Sequence, residues 1–132
     1  MSQGNLYIDG TWVQGRGDQW IKLNPVNQQP IWRGHAADSH DVEQAGLAAR
    51  QAFVLWARQP LAERIAVVEA FASLLEQHKT HLAQVISQET SKPLWETLTE
   101  VQAMIGKVAI SIGAYQQRTG ETTTAFADGV AT

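Results

Sequence analysis

Two hydrophobic periods divide the chain, an alternating one near the start and a helical one in the rest. Short runs with strand character, Leu6-Tyr7-Ile8 and Thr11-Trp12-Val13, flank Asp9-Gly10, a pair suited to the positive φ angles of a type I′ turn. This arrangement predicts a β-hairpin. A second, wider hairpin is predicted from residues 20–23 and 30–33, because the stretch between them is rich in turn-forming residues.

From Gly34 onward the hydrophobic period lengthens to that of a helix and predicts four helices. Asp38 or Ser39 can cap the free N–H groups of the first helix, and Pro60 suits the first turn of the second. Ser91 and Pro93 are expected to break the third helix. The predicted helices cover residues 38 or 39 to about 57, from 60 onward, about 80 to 89, and 94 to about 118.

The last helix carries the most regular pattern, with apolar residues alternately four and three positions apart. These residues are Leu94, Leu98, Val101, Ile105, Val108, Ile112 and Tyr115. The predicted fold class is α+β, with N-terminal β-hairpins followed by about four helices. We divide the chain into a hairpin region (1–36), a helical region (37–120) and a loose or β-permissive tail (121–132), which together form one incomplete domain.

Composition narrows the possible functions. The chain has 132 residues, of which 44% are apolar and 17% charged, as expected of a soluble globular domain. A net charge of −3 without a basic cluster argues against nucleic acid as a partner. No apolar run approaches the roughly 20 residues of a membrane span, and the start lacks the layout of a signal peptide, so a cytoplasmic location is expected.

Cysteine is absent from the chain, which excludes disulfides, thiolate metal sites and a cysteine nucleophile within it. A nucleotide-binding turn is not predicted either. The stretch from Gly15 to Trp20 lacks the third glycine and the following helix of a dinucleotide-binding fingerprint.

Five short motifs in order resemble the N-terminal segment of the aldehyde dehydrogenase superfamily. They are Tyr7-Ile8-Asp9-Gly10-Thr11-Trp12, Asn24-Pro25, Asp41-Val42-Glu43-Gln44-Ala45, Ala62-Glu63-Arg64 and Glu89-Thr90-Ser91-Lys92-Pro93. The resemblance covers essentially the whole chain. One departure is Ser91, where the family usually has glycine, a residue suited to special backbone angles.

The resemblance implies a fragment of a much longer enzyme, without that enzyme's Rossmann core. Family members use a cysteine nucleophile, a glutamate base and a nucleotide-binding turn, all downstream of this segment. A thiolate adds to the aldehyde, hydride passes to NAD, and water releases the acid. The chain alone is expected to be catalytically inert and to bind no NAD. Its expected partners are the remainder of the dehydrogenase chain and further copies in a homo-oligomer.

Within the family, several stretches resemble the branch that oxidises an acidic semialdehyde in bacterial arginine breakdown. They are residues 56–58, 104–105, 107–112, 114–115 and 118–121.

Met104, Lys107 and Ser111 lie about one turn apart on one side of the last helix. By resemblance this helix lines the substrate tunnel, with Met104 in its wall and Lys107 placed to attract a substrate carboxylate. The alternative is a methionine packed in the core and a lysine in solvent.

Glu89 is a candidate ligand for a monovalent cation, because the resemblance places it near such a site and a carboxylate suits a hard cation. The alternative is that Glu89 and Lys92 have only a structural role between two helices. Lys92 would then interact with the last carbonyl groups of the preceding helix. Glu63 and Arg64, near a helix start, are interpreted as surface charges, with an interdomain ion pair as the alternative.

A second function class remains open at this point. The apolar seam from Leu98 to Tyr115 presents more surface than three short neighbouring helices cover, which also fits a non-catalytic, self-associating interaction module.

Overall fold

The computed structural model describes residues 2–120, 124–126 and 129–131. Within this part of the chain the strands are β1 (Ser2–Gly4), β2 (Leu6–Ile8), β3 (Thr11–Val13), β4 (Gln19–Leu23), β5 (Pro30–His35), β6 (Thr124–Phe126) and β7 (Gly129–Ala131). The helices are α1 (Ser39–Trp56), α2 (Leu61–Gln77), α3 (Lys79–Thr90) and α4 (Leu94–Arg118). The predicted α+β class and the predicted helix boundaries are confirmed.

The first hairpin pairs β2 with β3 in antiparallel register, with Tyr7 opposite Trp12. Asp9 and Gly10 connect the strands with φ angles of 50° and 74°. Two successive positive φ angles define the predicted type I′ turn. The rings of Tyr7 and Trp12 pack with their centroids 4.9 Å apart, which adds an aromatic cross-strand contact.

The second sheet has three strands in the order β1-β5-β4. The antiparallel β4–β5 pair is the predicted wider hairpin, and Trp20 meets Trp32 edge to face at 4.6 Å. The parallel pairing of β1 with β5 was not predicted. Ser2-Gln3-Gly4 has no hydrophobic period, so only its backbone hydrogen bonds to β5 make it a strand.

The tail predicted to be loose or β-permissive lies partly outside the described residues, which omit 121–123, 127–128 and 132. In its described part, β6 and β7 form an antiparallel pair.

The start of α1 is fixed by a reciprocal capping box. Asp38 Oδ1 accepts a hydrogen bond from the backbone N–H of Asp41 at 2.9 Å, and Asp41 Oδ2 accepts one from the N–H of Asp38 at 3.1 Å. The same Asp41 oxygen accepts the backbone N–H of Arg16 at 2.8 Å, while Arg16 Nε lies 3.6 Å from Asp38 Oδ2. One buried carboxylate therefore joins the loop after β3 to the helical region.

The joint between α3 and α4 turns at Ser91, which adopts a left-handed conformation with φ 65°. Glycine adopts this conformation without steric cost, whereas a residue with a Cβ does not. The hydroxyl of Ser87 donates to the carbonyl of Lys92 at 2.7 Å and closes the turn. Pro93 then precedes the first residue of α4.

Helix α4 is the centre of the helical region, since both α2 and α3 pack against it. Val101 and Thr97 on α4 and Ala83 on α3 are fully buried, and Leu75 on α2 is nearly so. The Thr97 hydroxyl donates to the carbonyl of Leu94 at 3.0 Å, so its burial leaves no unpaired polar atom. Among the described helices, none has the length and hydropathy of a membrane span.

Much of the apolar face of α1 is exposed. Val42 is 63% and Phe53 55% exposed, because the main contact of α1 with another described element is with the short strand β2. The chain exposes 10028 Å² in total. A compact monomer of 14.5 kDa exposes roughly 6,900 Å² by the usual scaling of surface with mass. The helices thus present apolar faces that this chain does not cover.

Replacing Ser91 with glycine is expected to stabilise the fold. The Ser91→Gly substitution removes the Cβ penalty of a positive φ, and this gain exceeds the added entropy of the unfolded chain by up to about 1 kcal/mol. The free energy of unfolding in urea measures the effect.

The matched control is Ser73→Gly, because Ser73 lies in the interior of α2 with helical backbone angles. There glycine should destabilise by about 0.5–1 kcal/mol. A loss of stability in Ser91→Gly similar to that of the control would contradict the assignment of strain to Ser91.

The Asp41 carboxylate should make stability depend on acid pH. The hydrogen bond from the Arg16 N–H, assisted by that from Asp38, holds the pKa of Asp41 below its usual value despite burial. A carboxyl with a lowered folded-state pKa contributes stability above its unfolded pKa, and the contribution is lost as the pH falls through the folded-state pKa. Between neutral pH and about pH 3, the native chain should therefore lose more stability than Asp41→Asn.

Urea unfolding at a series of pH values tests this expectation. Asp18→Asn is the control, since Asp18 has an exposed side chain, and it should follow the native chain. Parallel pH profiles for the native chain and Asp41→Asn would show that Asp41 is not responsible.

Candidate functional site

A groove of about 480 Å³ runs between α2 and α4, and we call it the α2–α4 groove. Trp56, at the end of α1, closes one part of it. The α2 wall consists of Leu61, Arg64, Ile65, Val68 and Phe71. The α4 wall consists of Met104, Lys107, Val108, Ser111, Ile112 and Tyr115.

The sequence creates both walls by the same rule. Residues three or four positions apart lie on one face of a helix, and each wall follows that spacing over about three turns. Met104, Lys107 and Ser111 therefore come together in one wall of the groove. Met104 is 42% exposed, and the side chains of Lys107 and Ser111 are also open to the groove. Their role in binding substrate remains a prediction.

Arg64 also lines the groove, which was not predicted from the sequence. It was interpreted as a surface charge, but its side chain is only partly exposed, and its Nε atom is buried without a hydrogen-bond partner among the described residues. The signal was present in the spacing, since Arg64 lies three residues after Leu61 and next to Ile65. It therefore occupies the edge of the apolar stripe of α2 rather than the opposite, solvated face.

The groove combines apolar and aromatic walls with two cationic side chains, those of Arg64 and Lys107. Its described lining contains no carboxylate, thiol or imidazole group. Such a surface favours a ligand or segment that has an apolar body and a carboxylate. The lining residues can bind and orient such a ligand.

Glu89 lies partly buried near the end of α3, and within the described part of the chain its carboxylate makes no hydrogen bond or ion pair. The described residues also contain no cluster of three or more potential metal-ligating side chains. The assignment of Glu89 as a monovalent-cation ligand thus stays a prediction.

The structural alternative placed the Lys92 side chain near the last carbonyl groups of α3. In the structure this side chain does not cap α3. Its ammonium group instead bonds to Glu100 and lies 3.7 Å from Glu96. The hydrogen bond to Glu100, together with the charges of both glutamates, raises the pKa of Lys92. These carboxylates lie on the first two turns of α4, so the side chain of Lys92 lies against α4 and not against the end of α3.

The glycines near the first sheet have a packing role. A Cβ atom on Gly15 would lie 2.4 Å from the carbonyl oxygen of Ala36, and the backbone N–H of Gly17 donates to that oxygen at 2.8 Å. These glycines let the loop after β3 approach the end of β5. The expectation that this chain binds no NAD stays a prediction.

Comparison with known proteins identifies relatives along the whole chain. Residues 12–132 match the aldehyde dehydrogenase family. The N-succinylglutamate 5-semialdehyde dehydrogenase of Acinetobacter baylyi is 63% identical over 131 residues, which cover 99% of this chain and 27% of that protein. The enzyme of the same name from Serratia proteamaculans is 60% identical over 98% of this chain and 26% of its own length.

Among solved structures, an NAD-dependent benzaldehyde dehydrogenase from Corynebacterium glutamicum superposes with a TM-score of 0.82 at 26% identity. The superposition covers 92% of this chain and 27% of that enzyme. The chain thus spans about a quarter of the length of the relatives it matches.

Proposed function

We propose, since the chain belongs to the aldehyde dehydrogenase family, that it is the N-terminal part of an NAD-dependent enzyme that oxidises N-succinylglutamate 5-semialdehyde to N-succinylglutamate in arginine catabolism. The identity to enzymes of that name supports the substrate. The structural observation that carries the proposal is the α2–α4 groove, in which Met104, Lys107 and Ser111 share one apolar-walled surface.

The proposed substrate matches this surface in chemistry. N-succinylglutamate 5-semialdehyde has an aldehyde at one end of a methylene chain and two carboxylates elsewhere. The apolar side chains of the α4 wall bind the methylene groups and displace water from them. Lys107 attracts a carboxylate by charge and donates a hydrogen bond to it, and Met104 forms the wall beside the chain.

This chain supplies scaffold and substrate contacts, while the reaction itself belongs to the rest of the enzyme. Without cysteine, the chain has no thiolate to attack the aldehyde carbon, and we propose that it is inert by itself. NAD supplies the hydride acceptor of the complete enzyme. We assign its binding to residues outside this chain, because Gly15 and Gly17, the glycines of the loop after β3, pack against Ala36.

We further propose that the complete enzyme is a cytoplasmic homo-oligomer. The large apolar surface that the chain leaves exposed supports contacts with the remainder of the enzyme and with other copies.

Substituting Lys107 tests the substrate assignment. A suitable complete enzyme is a chimera in which this chain replaces the matching quarter of the Acinetobacter baylyi dehydrogenase. In this chimera Lys107→Ala should raise KM for N-succinylglutamate 5-semialdehyde about tenfold, which corresponds to about 1.4 kcal/mol of lost binding. The KM for a neutral aliphatic aldehyde should change little, because no carboxylate is present to lose its partner.

Lys107→Arg is the matched control, since it keeps the positive charge and should retain most of the preference for the acidic substrate. Steady-state kinetics with both aldehydes give the comparison. Equal changes in KM for the acidic and the neutral aldehyde would contradict a carboxylate-binding role for Lys107.

A second candidate function is a non-catalytic, self-associating helical module. The observation that favours it is the exposure of large apolar residues along α1 and α4, including Phe53, Ile110 and Tyr115. A surface of this kind mediates association in a protein that acts without catalysis.

The isolated chain should therefore associate or remain loosely packed in solution. Multi-angle light scattering should give a mass that rises with concentration above 14.5 kDa, or the chain should bind a dye that reports exposed apolar surface. A compact, monodisperse monomer that binds no dye would contradict this expectation. Activity of the chimera on the semialdehyde would favour the dehydrogenase over the non-catalytic module.

A further inference from the structure

The guanidinium group of Arg64 lies in the α2 wall of the groove, which the substrate assignment to Met104, Lys107 and Ser111 does not use. Its Nε atom is removed from solvent, and no described residue accepts a hydrogen bond from it. A buried N–H without an acceptor costs about 1–3 kcal/mol, and more when the group is charged. An arginine held in this state is expected to have an anionic partner in the functional protein.

The surroundings of Arg64 define the chemistry of that partner. Leu61, Ile65, Val68 and Phe71 flank it along α2. The described lining of the groove has no acidic side chain that could pair with Arg64. The missing partner therefore combines apolar side chains, which cover the stripe, with a carboxylate, which pairs with the guanidinium group.

We infer that the α2 wall of the groove is the docking site for a segment of the parent dehydrogenase outside this chain, and that an aspartate or glutamate of that segment pairs with Arg64. This inference rests on the proposed function, because that function makes the chain part of a longer enzyme. The relatives extend over nearly four times the matched length, since the match covers only 27% of the Acinetobacter baylyi protein. The uncovered apolar surface of the helices is the face available to that additional chain.

A permanent partner fits Arg64 better than a substrate does. Substrate leaves after each turnover, and its departure would leave the buried Nε without an acceptor again. Lys107 is suited to that exchange, since its side chain is exposed and water can solvate the ammonium group between turnovers. The two cations of the groove therefore have different roles. Lys107 binds the substrate carboxylate, and Arg64 pairs with an acidic side chain of the docking segment.

A second copy of this chain is a poorer occupant of the same wall. If two grooves faced each other across a twofold axis, each would bring Arg64 and Lys107 against the same two cations. Like charges brought together out of water oppose such a pairing.

The first experiment locates the segment that covers the groove. A photoreactive phenylalanine analogue is placed at position 71 of the chimera, since Phe71 lines the groove and is 54% exposed. Irradiation followed by peptide mass spectrometry should give a cross-link to a peptide from the Acinetobacter baylyi part that contains an aspartate or glutamate. A cross-link to residues 1–132 of another copy, or no cross-link at all, would overturn the inference.

The second experiment tests the ion pair. Arg64→Met keeps the apolar volume but removes the charge, and Arg64→Lys keeps the charge but loses the Nε donor. In the chimera Arg64→Met should lower the midpoint of thermal unfolding by several degrees, and Arg64→Lys by less, because each leaves the partner carboxylate without its full set of donors. In the isolated 132-residue chain Arg64→Met should not lower it.

Arg58→Met is the matched control, since Arg58 is exposed between α1 and α2 and lies outside the groove lining. It should leave both proteins unchanged. An equal loss of stability on Arg64→Met in the chimera and in the isolated chain would show that Arg64 acts within this chain, against the inference.

Activity on N-succinylglutamate 5-semialdehyde separates the two claims. A chimera that shows the cross-link and the Arg64 effect but does not oxidise this aldehyde would overturn the substrate assignment and leave the docking site standing.

Discussion

Packing of α2 and α3 against α4 is the interaction on which the rest of the structure depends. Val101 and Thr97 on α4 are fully buried where these helices meet, and Thr97 can be buried because its hydroxyl bonds to the carbonyl of Leu94. The small size of this core leaves little apolar area to offset the entropy of ordering the chain. Hydrogen bonds at helix ends, such as those of the Asp38–Asp41 capping box, therefore contribute a larger share of the stability than they would in a larger domain.

Local features of the sequence were enough to predict the elements but not their burial. Asp9-Gly10 predicted the hairpin turn and Asp38 the start of α1, because turn and cap chemistry act within a few residues. The pairing of Ser2–Gly4 with β5 was not predicted, since backbone hydrogen bonding between strands some thirty residues apart leaves no local sequence pattern. The helical period of the apolar residues was recognised in α1, but whether these residues are buried depends on what packs against them, and α1 mainly contacts β2.

The candidate site shows the same division between local and tertiary information. Met104, Lys107 and Ser111 were grouped correctly because a single helix face brings them together. Arg64 was missed because a charged residue near a helix start is usually solvated, and only the approach of α2 to α4 removes its Nε from water. Composition cannot distinguish these two states of an arginine. Burial of one nitrogen atom is a property of the packed pair of helices.

The arrangement of contacts also suggests an order of assembly. The contacts that define the helical core lie within residues 61–118, so they can form without any distant part of a longer chain. Formation of this core creates the α2–α4 groove with its walls already spaced and with the Nε atom of Arg64 already buried. A carboxylate that docks afterwards meets a cation whose Nε atom is already removed from water. The strain of an unpaired Arg64 is then relieved at the docking step, which favours the correct partner over an apolar segment without a charge.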